Sequence, residues 1–165
     1  MNEEIKFKNL ILIRHGENIE VRSINNDLLP LSFNGICQSK KAAIVLKNKF
    51  DIILCSNSRR AIHTAKIISD KNNLIIDSRL IERGWGNSNK DGLESDEEAR
   101  NRLRNLFNDI YCKYKDKRIL LVSHGALIKL AQDVIENQTL PRDRVSNCTI
   151  IEYDNKMQKN ILNIN

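Results

Sequence analysis

The sequence predicts an α/β fold, a single three-layer domain with a mainly parallel sheet flanked by helices. Short aliphatic runs alternate along the chain with longer segments of helical periodicity, and this alternation is typical of strand–helix–strand units. After residue 148 the alternation ends, and two short runs of strand character flank Asp154 and Asn155. This second pattern predicts an antiparallel hairpin at the C-terminal edge of the sheet.

The parallel part of the sheet is predicted from aliphatic runs that are apolar on both faces, as buried central strands are. These runs are residues 10–13, 52–54, 74–76 and 119–122. A further run at residues 149–153 begins the C-terminal hairpin.

Helices are predicted between these strands from apolar residues spaced three and four apart. They cover residues 34–48, 59–70, 96–112 and the segment after residue 124. Ser32 or Asn34 is a suitable N-cap for the first helix. Ser95, with Glu98 three residues later, predicts a capping box at the start of the third.

Composition and charge exclude several classes of protein. The 165 residues carry a net charge of +6, with 41% hydrophobic and 29% charged residues, which is an ordinary globular composition. The longest aliphatic run, residues 10–13, is far shorter than the roughly 20 residues that span a bilayer. The acidic start at residues 1–4 is unlike a secretion signal. We therefore expect one cytoplasmic domain over residues 1–165, with no membrane segment.

The cysteine content bears on disulfide formation, and the aromatic content bears on the kind of ligand the protein binds. The four cysteines form no CxxC pair, which predicts free thiols rather than a disulfide framework. Aromatic residues make up 5% of the chain, whereas nucleic-acid binding favours basic residues interleaved with exposed aromatics. The mild positive charge instead suits small anionic ligands.

Chemically reactive side chains follow each of the four predicted parallel strands. They are Arg14 and His15 after the first, Arg60 after the second, Glu82 after the third and His124 after the fourth. Because ligands bind at the carboxyl ends of parallel strands, we expect these side chains to lie together. Arginine binds phosphoryl oxygens, an imidazole attacks phosphorus and a carboxylic acid protonates a leaving oxygen. The set predicts phosphoryl transfer.

Two glycines support this interpretation. Gly16 and Gly125 each follow a histidine at a strand end, and we expect the missing side chains to let the backbone approach a ligand. The helix that starts after Gly125 should also point its N-terminal N–H groups at the same edge, which favours an anion.

Six motifs follow one another in order between residues 10 and 152. They are Arg14-His15-Gly16-Glu17; Leu31-Ser32 with Gly35 and Gln38; Ser56 with Arg60, Ala61, Thr64 and Ala65; Leu80 with Glu82 and Gly84-Trp85-Gly86; Ser123-His124-Gly125; and Asn147. Together they resemble the motifs of the histidine phosphatase superfamily, the phosphoglycerate-mutase-like proteins.

The resemblance implies a role for each matched residue. His15 would be the nucleophile that becomes phosphohistidine, while Arg14, Arg60 and His124 hold the phosphoryl group. Glu82 would donate the proton to the leaving oxygen and, once deprotonated, activate water. No metal and no other cofactor is required. These roles imply a metal-independent phosphomonoesterase acting on small phosphorylated metabolites or on a phosphoprotein.

Some positions depart from the family pattern. Asn18 and Val21 stand where the family often has Thr or Ser and Asn, so we expect Asn18, Ser23 or a neighbour to supply a phosphate contact. Only about a dozen residues separate Glu82 from Ser95, where many relatives carry a long insertion that caps the substrate. The short link favours a minimal cap, and a phosphatase over a mutase.

Several alternatives stay open at this point. A phosphoglycerate-mutase-type phosphotransferase and a non-catalytic phospholigand-binding module share the same pocket, although the intact His15 and Glu82 favour an enzyme. A zinc site built on the two strand-end histidines lacks closely spaced ligand pairs. Cys112 and Arg118 have the spacing of a cysteine-dependent phosphatase, but a predicted helix ends at this cysteine, where its dipole disfavours an anion.

Overall fold

The computed structural model describes residues 7–21, 26–69, 74–83, 94–141 and 143–164. In these residues six strands form one sheet: β1 (Asn9–Arg14), β2 (Ile52–Cys55), β3 (Leu74–Ile76), β4 (Arg118–Ser123), β5 (Ile150–Tyr153) and β6 (Lys159–Leu162). The α-helices of the same residues are α1 (Phe33–Leu46), α2 (Arg59–Ile68), α3 (Asp96–Tyr114) and α4 (Gly125–Glu136).

The strand order in the sheet is β3-β2-β4-β1-β5-β6. The first four strands in this order run parallel to one another, whereas β5 is antiparallel to β1 and β6 is antiparallel to β5. The predicted α/β fold with a C-terminal antiparallel hairpin is confirmed. Because β1 and β4 are neighbours, the residues that follow them are brought together at one edge of the sheet.

Alternate residues of each central strand face two different cores, as the two-residue period of a strand requires. Leu10 and Leu12 pack with α3 and α4 on one face of the sheet. Ile11 and Ile13 pack with α1 and α2 on the other face. The sheet is therefore covered on both sides, which explains why its central strands are apolar throughout.

The helix caps follow the sequence closely. Ser32 caps α1 by accepting a hydrogen bond from the Gly35 N–H at 3.0 Å, and the capping box of Ser95 and Glu98 is present at the start of α3. Asn34, the alternative cap, instead donates to a Glu17 carboxylate oxygen. The N-cap of α1 is thus settled in favour of the serine.

Two helices end earlier than predicted. The first was expected to reach residue 48, but Asn48 adopts a left-handed backbone with φ of 60°, which ends the helix at Leu46. The second ends at Ile68 rather than at residue 70, and Ser69 is already extended. The third helix runs two residues past its predicted end.

A close crossing of two backbones joins α1 to the loop that follows β1. A Cβ atom on Gly35 would lie 1.9 Å from the Glu17 carbonyl oxygen, and one on Gly16 would lie 2.5 Å from the Gly35 carbonyl oxygen. The expectation that Gly16 is a glycine so that a ligand can approach is therefore wrong, because α1 occupies the space. Both glycines lock the helix to the loop that carries His15.

In the described ranges, none of the helices has the length and apolarity needed to cross a bilayer. Ser23, the Gly84-Trp85-Gly86 element and most of the short link after Glu82 lie outside the described residues.

The backbone crossing predicts that Gly35→Ala lowers the free energy of unfolding by about 2–3 kcal/mol, since a backbone clash cannot be relieved by a side-chain rotation. Gly125→Ala is the matched control, because its Cβ would meet nothing closer than 3.5 Å and should change stability by less than about 1 kcal/mol. Urea denaturation followed by circular dichroism measures both. Equal stabilities of the two variants would refute the packing role of Gly35.

Candidate active site

The five residues predicted from the strand ends lie together at one edge of the sheet. The His15 and His124 rings meet edge to face with their centroids 5.0 Å apart. Arg14, Arg60 and Glu82 line one cavity beside them. The sheet topology thus performs the convergence that the sequence pattern predicts.

Arg60 connects the two histidines. It stands in the first turn of α2 with only 3% of its surface exposed. Its Nε donates to Nε2 of His15, and its Nη2 donates to Nδ1 of His124, both at 3.0 Å. The guanidinium also lies 3.4 Å from Oδ1 of Asp27, a partly exposed carboxylate on the short 3₁₀-helix Asn26–Leu28.

The hydrogen bonds of His15 define its tautomer. Its Nδ1 lies 2.7 Å from the Gly16 carbonyl oxygen, which can only accept, so Nδ1 carries the proton. Its Nε2 therefore holds the lone pair, to which Arg60 donates. Burial lowers the pKa of His15 to about 3, with the Arg60 and Arg14 charges acting in the same direction. The imidazole is neutral at neutral pH.

His124 adopts the opposite tautomer. Because its Nδ1 accepts from Arg60, Nε2 carries the proton and donates to the Ser56 hydroxyl at 2.8 Å, with the Ser58 hydroxyl at 3.3 Å. Burial and the neighbouring His15 and Arg60 hold the pKa of His124 well below its usual value. Ser58 occupies the N-cap position of α2 without capping it, because its side chain lies at this histidine instead.

Arg14 is fixed at the other side of the site. Its Nη1 donates to the Val145 carbonyl oxygen at 2.5 Å. Its Nε is buried and has no hydrogen-bond partner among the described residues. A buried donor without an acceptor is costly, and Arg14 lines the cavity, so an anionic ligand there would satisfy it.

Glu82 sits at the N-terminus of α4. Its carboxylate accepts hydrogen bonds from the Leu127 N–H at 3.0 Å and the Ala126 N–H at 3.4 Å, and also from the N–H of Arg83. We expected an anionic ligand at this helix end, but the group that meets these N–H donors is a side chain of the protein itself. Burial raises the pKa of Glu82 above its usual value, although these N–H groups and Arg14 oppose the rise.

Several family-motif residues hold the backbone of the His15 loop rather than a ligand. Asn147 donates to the His15 carbonyl oxygen at 3.0 Å, and the Gly16 N–H donates to the Thr64 hydroxyl at 3.0 Å. Gln38 accepts from the N–H of Glu17 in the same loop. The motifs alone give these residues no role, and their contacts in the structure supply one.

The cavity at this edge has a volume of about 940 Å³. Gly125 lines it, but Asn18 does not. Asn18 donates instead to the Ile19 carbonyl oxygen at 2.8 Å and pairs with Leu31 in an isolated bridge. Its contact with phosphate stays a prediction.

Two alternative sites find no support in the contacts. The histidines of the zinc alternative both bind the Arg60 cation, and no cluster of three or more His, Cys, Asp or Glu residues suited to a metal occurs in the described ranges. Cys112 lies near the C-terminus of α3, and Arg118 pairs with Asp51. These two residues therefore form no phosphate loop.

Comparisons with known proteins find two relatives that are named as phosphatases. "Putative phosphoserine phosphatase 2" of Hydrogenobacter thermophilus is 30% identical over 155 residues, which cover 73% of this chain and 75% of that protein. "Uncharacterized phosphatase PhoE" of Bacillus subtilis is 28% identical over 138 residues, covering 71% of this chain and 72% of that protein.

Solved structures show the same fold. The crystal structure of a phosphoserine phosphatase from Entamoeba histolytica in complex with 3-phosphoglyceric acid has a TM-score of 0.72 and 25% identity, covering 95% of this chain and 96% of that one. A mycobacterial glucosyl-3-phosphoglycerate phosphatase has a TM-score of 0.75 and 21% identity, covering 93% and 96%.

A family profile matches nearly the whole chain. The profile described as "Histidine phosphatase superfamily (branch 1)" matches residues 10–91 and 87–163, which span all the motifs found in the sequence. The predictions of the family and of a phosphatase-type enzyme are confirmed. The chain belongs to the histidine phosphatase superfamily, branch 1.

Proposed function

We propose that the protein is a metal-independent phosphomonoesterase that hydrolyses small phosphorylated metabolites through a phosphohistidine at His15. One observation carries the proposal. The Nε2 lone pair of a buried, neutral His15 is held 3.0 Å from the Nε of Arg60, beside Arg14 and its unsatisfied buried donor. A neutral nucleophile flanked by two arginines is what attack on a phosphate ester requires.

In the first step the Nε2 lone pair of His15 forms a bond to phosphorus while the ester P–O bond breaks. Before this bond forms, Arg60 donates to a phosphoryl oxygen of the bound ester in place of the histidine nitrogen, which frees the lone pair. The proton on Nδ1, held by the Gly16 carbonyl, stabilises the positive charge that develops on the ring. Protonated Glu82 transfers its proton to the leaving oxygen, so the product departs as an alcohol.

In the second step water replaces the alcohol. The Glu82 carboxylate takes a proton from a water molecule. The oxygen of that water attacks phosphorus, and the P–N bond to His15 breaks. Inorganic phosphate leaves, and both residues return to their starting protonation states. The same carboxyl group thus serves as acid and then as base, which its place between the α4 N–H groups and the cavity supports.

The relatives support the substrate class. Three of the four reported above are named for phosphoserine or glucosyl-3-phosphoglycerate, or were solved with 3-phosphoglyceric acid, and these are all small phosphorylated molecules. We extend this class to the present chain, and we propose one catalytic domain over residues 1–165 with a minimal cap, which favours hydrolysis over a mutase reaction.

The proposal predicts that the protein hydrolyses p-nitrophenyl phosphate in excess EDTA and that His15→Ala abolishes turnover, because the substitution removes the proposed nucleophile. His63→Ala is the matched control, since it removes the remaining histidine of the chain, which lies along α2. A panel of metabolites and a phosphoprotein defines the substrate, and mass spectrometry of alkaline-quenched protein locates the phosphoryl group.

Each part of the proposal has a contrary outcome. Loss of turnover in EDTA would refute metal independence, and full activity of His15→Ala would refute the nucleophile. Transfer of the phosphoryl group to a second substrate in preference to water would indicate the mutase alternative. Phosphoester binding without turnover would indicate the non-catalytic module.

The role of Glu82 predicts a dependence on the leaving group. Glu82→Gln should lower kcat/KM about 10²–10³-fold for alkyl phosphates and less than about tenfold for aryl phosphates, whose leaving groups need little protonation. Since burial raises the pKa of Glu82, alkyl phosphate turnover should fall as pH rises through that pKa and the proton is lost. In the Gln variant this alkaline limb should be absent. Glu20→Gln, at an exposed position, is the control, and equal losses for both substrate types would contradict the assignment.

The neutral state of His15 predicts a pH-dependent stability. Between pH 6.5 and 3 the unfolded state binds a proton that the folded His15 does not, so stability is lost as pH falls. From pH 7 to pH 5 this residue should remove about 2 kcal/mol from the free energy of unfolding. His15→Gln should lose correspondingly less than the wild type in urea titrations at the two pH values. His63→Gln is the control. If the free energy of unfolding of His15→Gln falls between the two pH values by as much as that of the wild type and of His63→Gln, His15 is not held neutral.

A further inference from the structure

Two further cations line the cavity in addition to Arg14 and Arg60. Lys129 and Arg144 both line it, and neither forms an ion pair or hydrogen bond with a side chain of the described residues. The other charged lining residues are engaged: Arg60 with Asp27, Arg83 with Asp96, Arg14 with a carbonyl, and Glu82 with the start of α4. Among the described lining residues, Asp143 is the carboxylate next to Arg144 in the chain, and its charge is opposite to that of these two cations.

The position of Lys129 is set by α4. Gly125, Ala126, Lys129 and Leu130 all line the cavity, and this spacing places them on one face of the helix. Gly125 adjoins Arg14, whose side chain would lie 3.5 Å from a Cβ there. Four residues of helix advance about 6 Å along its axis. Lys129 is therefore one helical turn beyond the phosphoryl-binding end of the cavity.

The position of Arg144 is set by its neighbour. The carbonyl of buried Val145 accepts a hydrogen bond from Arg14. This contact fixes the backbone next to Arg144, which directly precedes Val145 in the chain. Its charge is close enough to Arg14 to be, after burial, the largest influence that lowers the pKa of that guanidinium. Arg144 is exposed at the cavity rim, and a ligand can reach it.

We propose that Lys129 and Arg144 form a subsite for a second anionic group, a carboxylate or a further phosphate, on the phosphoester that His15 attacks. This inference rests on the proposed function and specifies its substrate class. A phosphate and a carboxylate joined through two or three carbon atoms are about 5 Å apart, which matches one helical turn between the two ends of the cavity. A phosphoester without a second anion leaves both cations unmatched.

The test compares esters that differ only in the second group. 3-Phosphoglycerate and glycerol 3-phosphate share a three-carbon skeleton but differ by a carboxylate, and propane-1,3-diol bisphosphate and monophosphate differ by a phosphate. The readout is the ratio of kcat/KM within each pair, which cancels effects on the shared chemistry. We expect the wild type to prefer the more anionic member of at least one pair about tenfold, and the pair with the larger preference identifies the group.

Variants then assign the preference to residues. Lys129→Gln with Arg144→Gln should lower the ratio about tenfold, and Lys129→Arg should retain most of it. Asp143→Asn should raise the ratio about two- to threefold, because it removes a negative charge that repels the second anionic group of the substrate through screening solvent. Lys40→Gln is the matched control, because it removes the same charge from an exposed position on α1, across the sheet from α4, and should leave the ratio unchanged.

The outcomes separate the subsite from the catalytic proposal. Hydrolysis of p-nitrophenyl phosphate with equal rates within both pairs would overturn the subsite and leave the function standing. So would a preference that survives the double variant. If no ester is hydrolysed, the proposed function fails, and calorimetry of the same four ligands decides the subsite. Binding that favours the more anionic member and is lost in the double variant supports it, and equal binding refutes it.

Discussion

The site depends on one buried cation, the guanidinium of Arg60. A buried charge is tolerated only where its donors are satisfied, and here the nearest acceptors are the unprotonated nitrogens of His15 and His124. Each histidine can accept only as a neutral ring in one tautomer. The arginine therefore selects both tautomers at once, leaving the lone pair on Nε2 of His15. In the proposed mechanism a phosphate ester, which carries more charge than an imidazole, is the better acceptor and displaces the histidine from the guanidinium.

The backbone around His15 is built so that this contact can form. Asn147 holds the His15 carbonyl, and the next residue, Cys148, bonds the Arg14 carbonyl through its N–H. Cys148 does so from a left-handed conformation with φ of 52°, which is unfavourable for a side chain that is not glycine. Thr64 ties the same loop to α2, because its hydroxyl also donates to the Arg60 carbonyl. The nucleophile and the arginine are thus fixed in one network.

The sequence predicted which residues lie together at the sheet edge better than it predicted how they contact one another. The strand ends predicted Arg14, His15, Arg60, Glu82 and His124, because parallel strands share one carboxyl edge whatever packs around them. The hydrogen bond from the Leu127 N–H of α4 to Glu82 was not predictable, since it joins residues 45 apart in the chain. Gly16 was misinterpreted for the same reason: its close neighbour is Gly35, on a different element. Local sequence patterns predict the strands and the helix caps, whereas contacts between distant segments determine the histidine tautomers and the packing.

Burial at this edge of the sheet has opposite effects on the pKa values of the two kinds of titratable group, and the proposed reaction uses both effects. A medium of low polarity disfavours the charged form of any side chain. It therefore lowers the pKa of His15 and raises the pKa of Glu82. The first step needs a neutral imidazole and a protonated carboxyl, and these are the two forms that burial favours. Separate devices for the base and the acid are not required, because exclusion of water supplies both, and a substitution that admits water to the cavity would weaken the nucleophile and the acid together.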